Sequence, residues 1–348
     1  MSTADKRAAT ESGTPAPRRR DRLFWYLVAL VAVVGLTARL WNSNFDQRQH
    51  LHPDERFWSL TSDALLRAPE PAPHGTAVGP LLDWLDGQRS PANPYRVTES
   101  FVYGPTPFAL ARGTSAWLYD GVVHGDQPAN AIAHAIDAIG VPLINDAGAP
   151  TFDSAYSVDV VGRLMSAIFD TATIVVVALI GRRIGGRLAG VAAASLYAMS
   201  VLAIQHAHFL GAEPLLGLAS ALTVLAALRL DRSDDVRRSV TTGLALGAAC
   251  GLTVAVKLTG ASLLAVVLVG CVALLWRHRR RSDVTRLAAV LVGAAIAFRF
   301  FDPAAFNGLG VTLSRAFTDD LQRARELKTS TSPPVSYTHL TLPTILRV

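Results

Sequence analysis

Apolar residues along this chain come in long runs, and seven of these approach the length of about 20 residues that a bilayer core demands. They cover 23–41, 158–180, 187–205, 211–230, 239–256, 259–276 and 285–301. Four basic stretches punctuate them: "RRRDR" before the first run, "GRRIGGR" (181–187) after the second, "RLDRSDDVRR" (229–238) after the fourth and "RHRRRSD" (277–283) after the sixth. Cationic loops stay on the cytoplasmic side. Placing all four there makes the spans alternate only if 42–157 lies outside as one long loop, with the turns near 206–210, 257–258 and 302. The pattern predicts an all-α integral-membrane bundle of about seven spans in the plasma membrane. Its N-terminus is cytoplasmic, and its long extracytoplasmic first loop carries in-plane helices.

Within that loop, "FVYGPTPFALARGTSAWLY" (101–119) is apolar enough to suggest another span. Its Gly-Pro-Thr-Pro start and central Arg112 favour a helix lying in the interface with aromatic anchors. A span there would also invert every later basic loop. Frequent Pro and Gly across 68–105 predict coil and turns. Residues 1–22 are polar and charged and read as a disordered cytoplasmic tail. The first apolar run is long and has no clear small-x-small cleavage site, so an uncleaved span is expected. Residues 335–344, "VSYTHLTLPT", resemble the translation of a transposon-end sequencing adapter. The native sequence is therefore expected to end near Pro334 and the protein to continue beyond it. That leaves 23–334 as the membrane domain and 335–348 as a non-native tail.

Composition agrees with the membrane assignment: half of the 348 residues are hydrophobic and only 17% are charged. The net charge of +6 lies in the short runs between spans, which argues for topology and against nucleic acid as a partner. Cys250 and Cys271 fall inside apolar runs, where a cysteine acts as a small hydrophobe.

The polar residues of interest gather near the outward ends of spans. In "HLHPDERFWSL" (50–60), Asp54 and Glu55 follow the first span closely, and Phe57 and Trp58 are expected at headgroup level. A carboxylate in that half-dry setting can serve as a general base, although a solvated loop also carries carboxylates. His50 and His52 form a weak His-x-His signal for a divalent metal ion, with Asp54 or Glu55 completing the ligands. Glu213 begins the fourth span, where it either faces a polar cavity or complements the helix dipole ahead of Pro214. His206 and His208 precede it on the same turn, two apart and so on different helical faces. Lys257 and Arg299 are cations at outward span ends, suited to snorkelling or to clamping a phosphate. Arg163 and Asp170, seven apart on one face of the second span, predict a structural polar network inside the bundle.

In order along the chain, "HPDERFW", "SPANPY", "FVYGPTPF", "GRLMSAIFDTATIVVVALIGRRIGGRLAGVAAASLYAMSVLAIQHAHF", "GLTVAVKLTG" and "FRFFDPAAFNG" resemble the C-type integral-membrane glycosyltransferases. These include the protein O-mannosyltransferases and aminoarabinose transferases, and the likeness runs from about 23 to 334. The resemblance implies inverting transfer of a sugar from a polyprenyl-phosphate carrier to a protein, lipid or glycan acceptor on the extracytoplasmic face, among membrane lipids. It implies Asp54 as the catalytic acid-base residue with Glu55 assisting, Lys257 and Arg299 at the donor phosphate, and Glu213, His206, His208 and Tyr103 in support. A cofactor is left open, a divalent ion being the alternative. The family commonly has aspartate where Glu213 stands.

Two other functions compete. A transporter or flippase would use Glu213, Lys257 and Asp170 to line a passage, but no paired halves are evident and the charges gather at span ends. A noncatalytic scaffold of the cell envelope would leave Asp54 and Glu55 as solvated surface.

Overall fold

The structure is a computed structural model that describes residues 19–329 except Ala92, Val102 and 231–234, with side chains described from 21 to 323. The sequence readings for 1–18 and 335–348 lie outside the described residues. Among the described residues there are helices and two isolated bridges but no strands.

Helix α1 (Arg19–Leu40) begins four residues ahead of the expected span. Asp21 in its first turn pairs with Arg182 and Arg187, which carries the helix into the segment expected to be disordered. Four helices then occupy the long loop: α2 (Pro53–Arg67), α3 (Gly79–Leu85), α4 (Thr106–His124) and α5 (Ala129–Ala138). Helix α3 interrupts the stretch expected to be coil. Pro80 near its start is compatible with a first helical turn, whose amides need no intrahelical partner.

Helix α6 (Asp159–Ala198) contains a left-handed Gly186 (φ 82°), a conformation that glycine adopts freely. There the helix folds back: a Cβ on Gly190 would lie 2.6 Å from the Ala178 carbonyl oxygen, and Ala178, Ala194, Ile174 and Ala198 share one buried cluster with Phe24 and Val28. The second and third expected spans are therefore the two arms of this hairpin. The third is broken, because Ser200 is extended (ψ 113°) and a new helix, α7 (Val201–Ala207), starts after it. Helix α8 (Glu213–Leu228) has 16 residues, about 24 Å of rise and less than a full bilayer core.

Helices α9 (Val236–Val256), α10 (Ala261–His278) and α11 (Arg281–Phe301) complete the bundle, and α12 (Arg315–Thr329) follows. Among the described residues, five helical segments are long and apolar enough to cross a membrane: Asp21–Leu40, Tyr156–Ala198, Val236–Val256, Leu258–His278 and Arg281–Phe301. Gly243, Gly247 and Gly251 form a stripe on α9 against α11, where a Cβ on Gly247 would lie 2.2 Å from the Val290 carbonyl oxygen. Small residues at four-residue spacing let apolar helices approach at backbone distance in lipid.

Candidate active site

The loop end of the bundle is held by one buried guanidinium. Arg163 on α6 donates from Nε to Glu55 Oε2 (2.9 Å), from Nη1 and Nη2 to Asp46 (2.9 and 2.8 Å), from Nη1 to the Ser43 carbonyl (2.8 Å), and from Nη2 to Glu55 Oε1. The Leu210 amide adds a bond to Glu55 Oε2 at 2.8 Å. These contacts tie the segment after α1, the first turn of α2, α6 and the α7–α8 turn together. Burial alone would push the Asp46 carboxyl up, but its bonds to Arg163 hold it below its usual value.

Asp170 belongs to a separate network, accepting from Arg39 Nε (2.5 Å) and Tyr197 hydroxyl (2.6 Å). The single network expected of Arg163 and Asp170 is thus two. Seven residues put about 10 Å of helix rise between them, and each has its own partners.

Helix α2 divides the two adjacent carboxylates by direction. Pro53 opens the helix and Asp54 and Glu55 lie in its first turn, where acidic groups favour the N-terminal dipole. Glu55, Trp58, Ser62 and Leu65 form the inward face. Glu55 is fully buried with both oxygens engaged, whereas Asp54 is half-buried and accepts the Tyr103 hydroxyl at 2.7 Å. Trp58, expected at headgroup level, is instead fully buried among Phe101, Tyr103 and Phe108. It lies one turn after Glu55, so the turn that delivers Glu55 to Arg163 also carries the indole inward.

Tyr103 connects Asp54 to the helix ends. The Gly104 amide donates to the Val256 carbonyl at 3.0 Å, and a Cβ on Gly104 would lie 1.4 Å from the Ala255 carbonyl oxygen, so only glycine permits this approach. Lys257 then caps α9 in an extended conformation, its Nζ 5.1 Å from the Tyr103 ring centroid and 2.9 Å from Glu213 Oε1. Burial, the Asp54 bond and the charge of Glu213 raise the Tyr103 phenol above its ordinary value, keeping it a donor. Tyr103 and Lys257 line a cavity of about 300 Å³, and Glu213 and His206 line another of about 220 Å³ that reaches Asp170 and Tyr197.

The remaining expected site residues are placed elsewhere. His208 is tied through both ring nitrogens to the Ile204 and Trp41 carbonyls (2.7 and 2.9 Å). Arg299 donates to the Leu85 and Gly308 carbonyls and stacks on Phe306, outside the lining of both cavities. His50 packs on Tyr156 and His52 on Phe209, so the two histidines do not converge.

Ligand atoms of His50, Glu55 and Asp159 do lie within 4.8 Å of one another. Arg163 already bonds both oxygens of Glu55 and comes within 3.7 Å of Asp159, so a divalent ion would meet a buried cation. These residues do not fit a metal site.

A spanning helical bundle with a half-buried carboxylate and an ammonium linked through one tyrosine suits chemistry on a lipid-borne anion. The class is fixed by similarity to a known family: the protein is a membrane glycosyltransferase that uses a polyprenyl-phosphate-linked sugar. The matching family is dolichyl-phosphate-mannose-protein mannosyltransferase, over residues 131–302. That region holds Glu213, Lys257 and Arg299, while Asp54 and Tyr103 precede it. No curated protein matches the chain. Sequence reasoning missed Asp46, whose only signal was an acidic residue just beyond a span end, and it missed the cavity-lining residues from the last helix.

Proposed function

We propose that the chain transfers a sugar from polyprenyl phosphate to an acceptor hydroxyl on the extracytoplasmic side, with Asp54 as general base. The acceptor oxygen attacks the anomeric carbon on the face opposite the phosphate and gives its proton to Asp54. The sugar–phosphate C–O bond breaks as the new C–O bond forms, the bond pair leaves with the phosphate, and configuration inverts. Lys257 offsets the charge that grows on the departing phosphate. The phosphate competes with Glu213 for the ammonium, leaving the Glu213 carboxylate to the neighbouring cavity. Glu55 serves as a positioning residue, since Arg163 and the Leu210 amide occupy both its oxygens.

The observation that carries this reading is the line Asp54–Tyr103–Lys257, made of a 2.7 Å hydrogen bond and a 5.1 Å cation–ring contact. The basic loops support this side of the membrane. Contacts of Asp21 with Arg182 and Arg187 put two of them at one end of the bundle, and α8 through α11 alternate so that the helix ends Leu228, Val236, His278 and Arg281 fit the same end. With that end cytoplasmic, the site is extracytoplasmic.

The test is transfer from polyprenyl-phosphate mannose in membranes. Asp54→Asn, which preserves shape and an acceptor for Tyr103, is expected to lower turnover by about 10²–10⁴-fold while donor binding persists. Lys257→Met is expected to weaken donor binding. Retained turnover in Asp54→Asn removes Asp54 from the reaction.

A further inference from the structure

The cavity lined by Tyr103 and Lys257 has further polar walls, formed by Tyr95, Asp302 and Asp320. Asp320 stands on α12, beyond the residues that match the family. One turn earlier, Phe317 stacks on Phe298 with centroids 6.3 Å apart, seating the helix against the end of α11. Asp320 Oδ2 then accepts the Phe101 amide at 2.7 Å and the Tyr95 hydroxyl at 2.9 Å.

Its other oxygen is in a different condition. The Asp320 side chain is only 7% exposed, and among the described residues Oδ1 is buried without a hydrogen bond, ion-paired with Arg323 Nη1 at 3.8 Å. A buried carboxylate oxygen left this way is costly until a donor completes it. Asp302, buried just past α11, accepts the Ala305 amide through Oδ1 at 3.2 Å. Burial raises its carboxyl to about 7, so near neutral pH it offers an O–H donor as well as acceptor oxygens.

We infer that Asp320 and Asp302 form a hydroxyl-reading subsite for the donor sugar, in the same cavity whose Lys257 side takes the phosphate. This assignment rests on the glycosyl-transfer reading above. A pyranose presents neighbouring hydroxyls, each both donor and acceptor, and an apolar C–H face. Asp320 Oδ1 accepts from one hydroxyl and Asp302 exchanges hydrogen bonds with another, while the aromatic rings of the cavity receive the C–H face. A prenyl chain or a bare phosphate ester offers no such pair of adjacent hydroxyls. The cavity, about 300 Å³, lies at the small end of the range for small-ligand sites.

The experiment compares two probes on the full chain in lipid nanodiscs, polyprenyl phosphate and polyprenyl-phosphate mannose. The wild type is expected to prefer the mannosylated lipid. Asp320→Asn keeps one oxygen for Phe101 and Tyr95 and turns Oδ1, the oxygen that lacks a hydrogen bond, into an amide nitrogen. It is expected to cut the preference by about tenfold or more, with affinity for polyprenyl phosphate unchanged. Preference retained in Asp320→Asn overturns the inference, as does a parallel loss of both affinities, which marks collapse of the cavity. A wild type that binds neither probe overturns the donor reading itself, so the two failures are distinguishable.

Discussion

Replacing Arg163 by methionine tests whether one buried cation organises the loop end of the bundle. The substitution keeps an unbranched apolar stem but removes four bonds to carboxylate oxygens and one to the Ser43 carbonyl. Asp46, Glu55 and Asp159, each 4% exposed or less, are then left together without their arginine. Removing one partner of a buried charge cluster costs about 3–5 kcal/mol, because the remaining charges stay desolvated. The contribution of Asp46 should also change sign with pH. In the wild type Arg163 depresses the Asp46 carboxyl, so its contribution is complete above its ordinary value of 3.8 and is lost as pH falls through the lower, folded value. Without the arginine, burial dominates at Asp46 and raises its carboxyl, so that contribution grows as acidification neutralises it. Thermal unfolding of variant and wild type in detergent from about pH 8 to about pH 3 reads both effects. A variant within about 1 kcal/mol of wild type, with no gain on acidification beyond that of the wild type, would refute the reasoning.

Two further outcomes are expected. Gly247→Leu should push α9 from α11 and destabilise the bundle by about 1–3 kcal/mol, whereas Gly270→Leu on α10, where nothing lies within 4 Å of a Cβ, should leave the melting temperature nearly unchanged. Asp302→Asn should flatten the pH dependence of unfolding: the wild-type carboxyl titrates near 7 when folded and 3.8 when unfolded, so native stability falls as pH rises between those values, by up to roughly 4 kcal/mol. Equal slopes in the two proteins would show that Asp302 does not titrate in this way.

The helical bundle was legible because a bilayer imposes a length on apolar runs and basic loops supply their phase. That logic located α1, both arms of α6 and α9 through α11, but the break at Ser200 escaped it because "MSVLAIQ" stays apolar through the extended residue. Asp54 stood out through its neighbours and its distance from a span. Its difference from Glu55 did not, since only the helical phase of α2 turns one carboxylate toward Tyr103 and the other toward Arg163. Pairings such as Asp46 with Arg163, 117 residues apart, and Phe101 with Asp320, 219 apart, leave no local period to read. The α9 glycine stripe was present in the sequence as three glycines at four-residue spacing and was legible in principle.

Tyr103 and Lys257 are set on either side of a main-chain weld, the Gly104 amide on the Val256 carbonyl, where even a methyl group finds no room. The gauge between phenol and ammonium is therefore cut into backbone, and rotamer changes can adjust it only slightly. On the proposed reading, an incoming glycolipid has to match that fixed span, so headgroups of the wrong reach would be turned away by geometry before any proton moves.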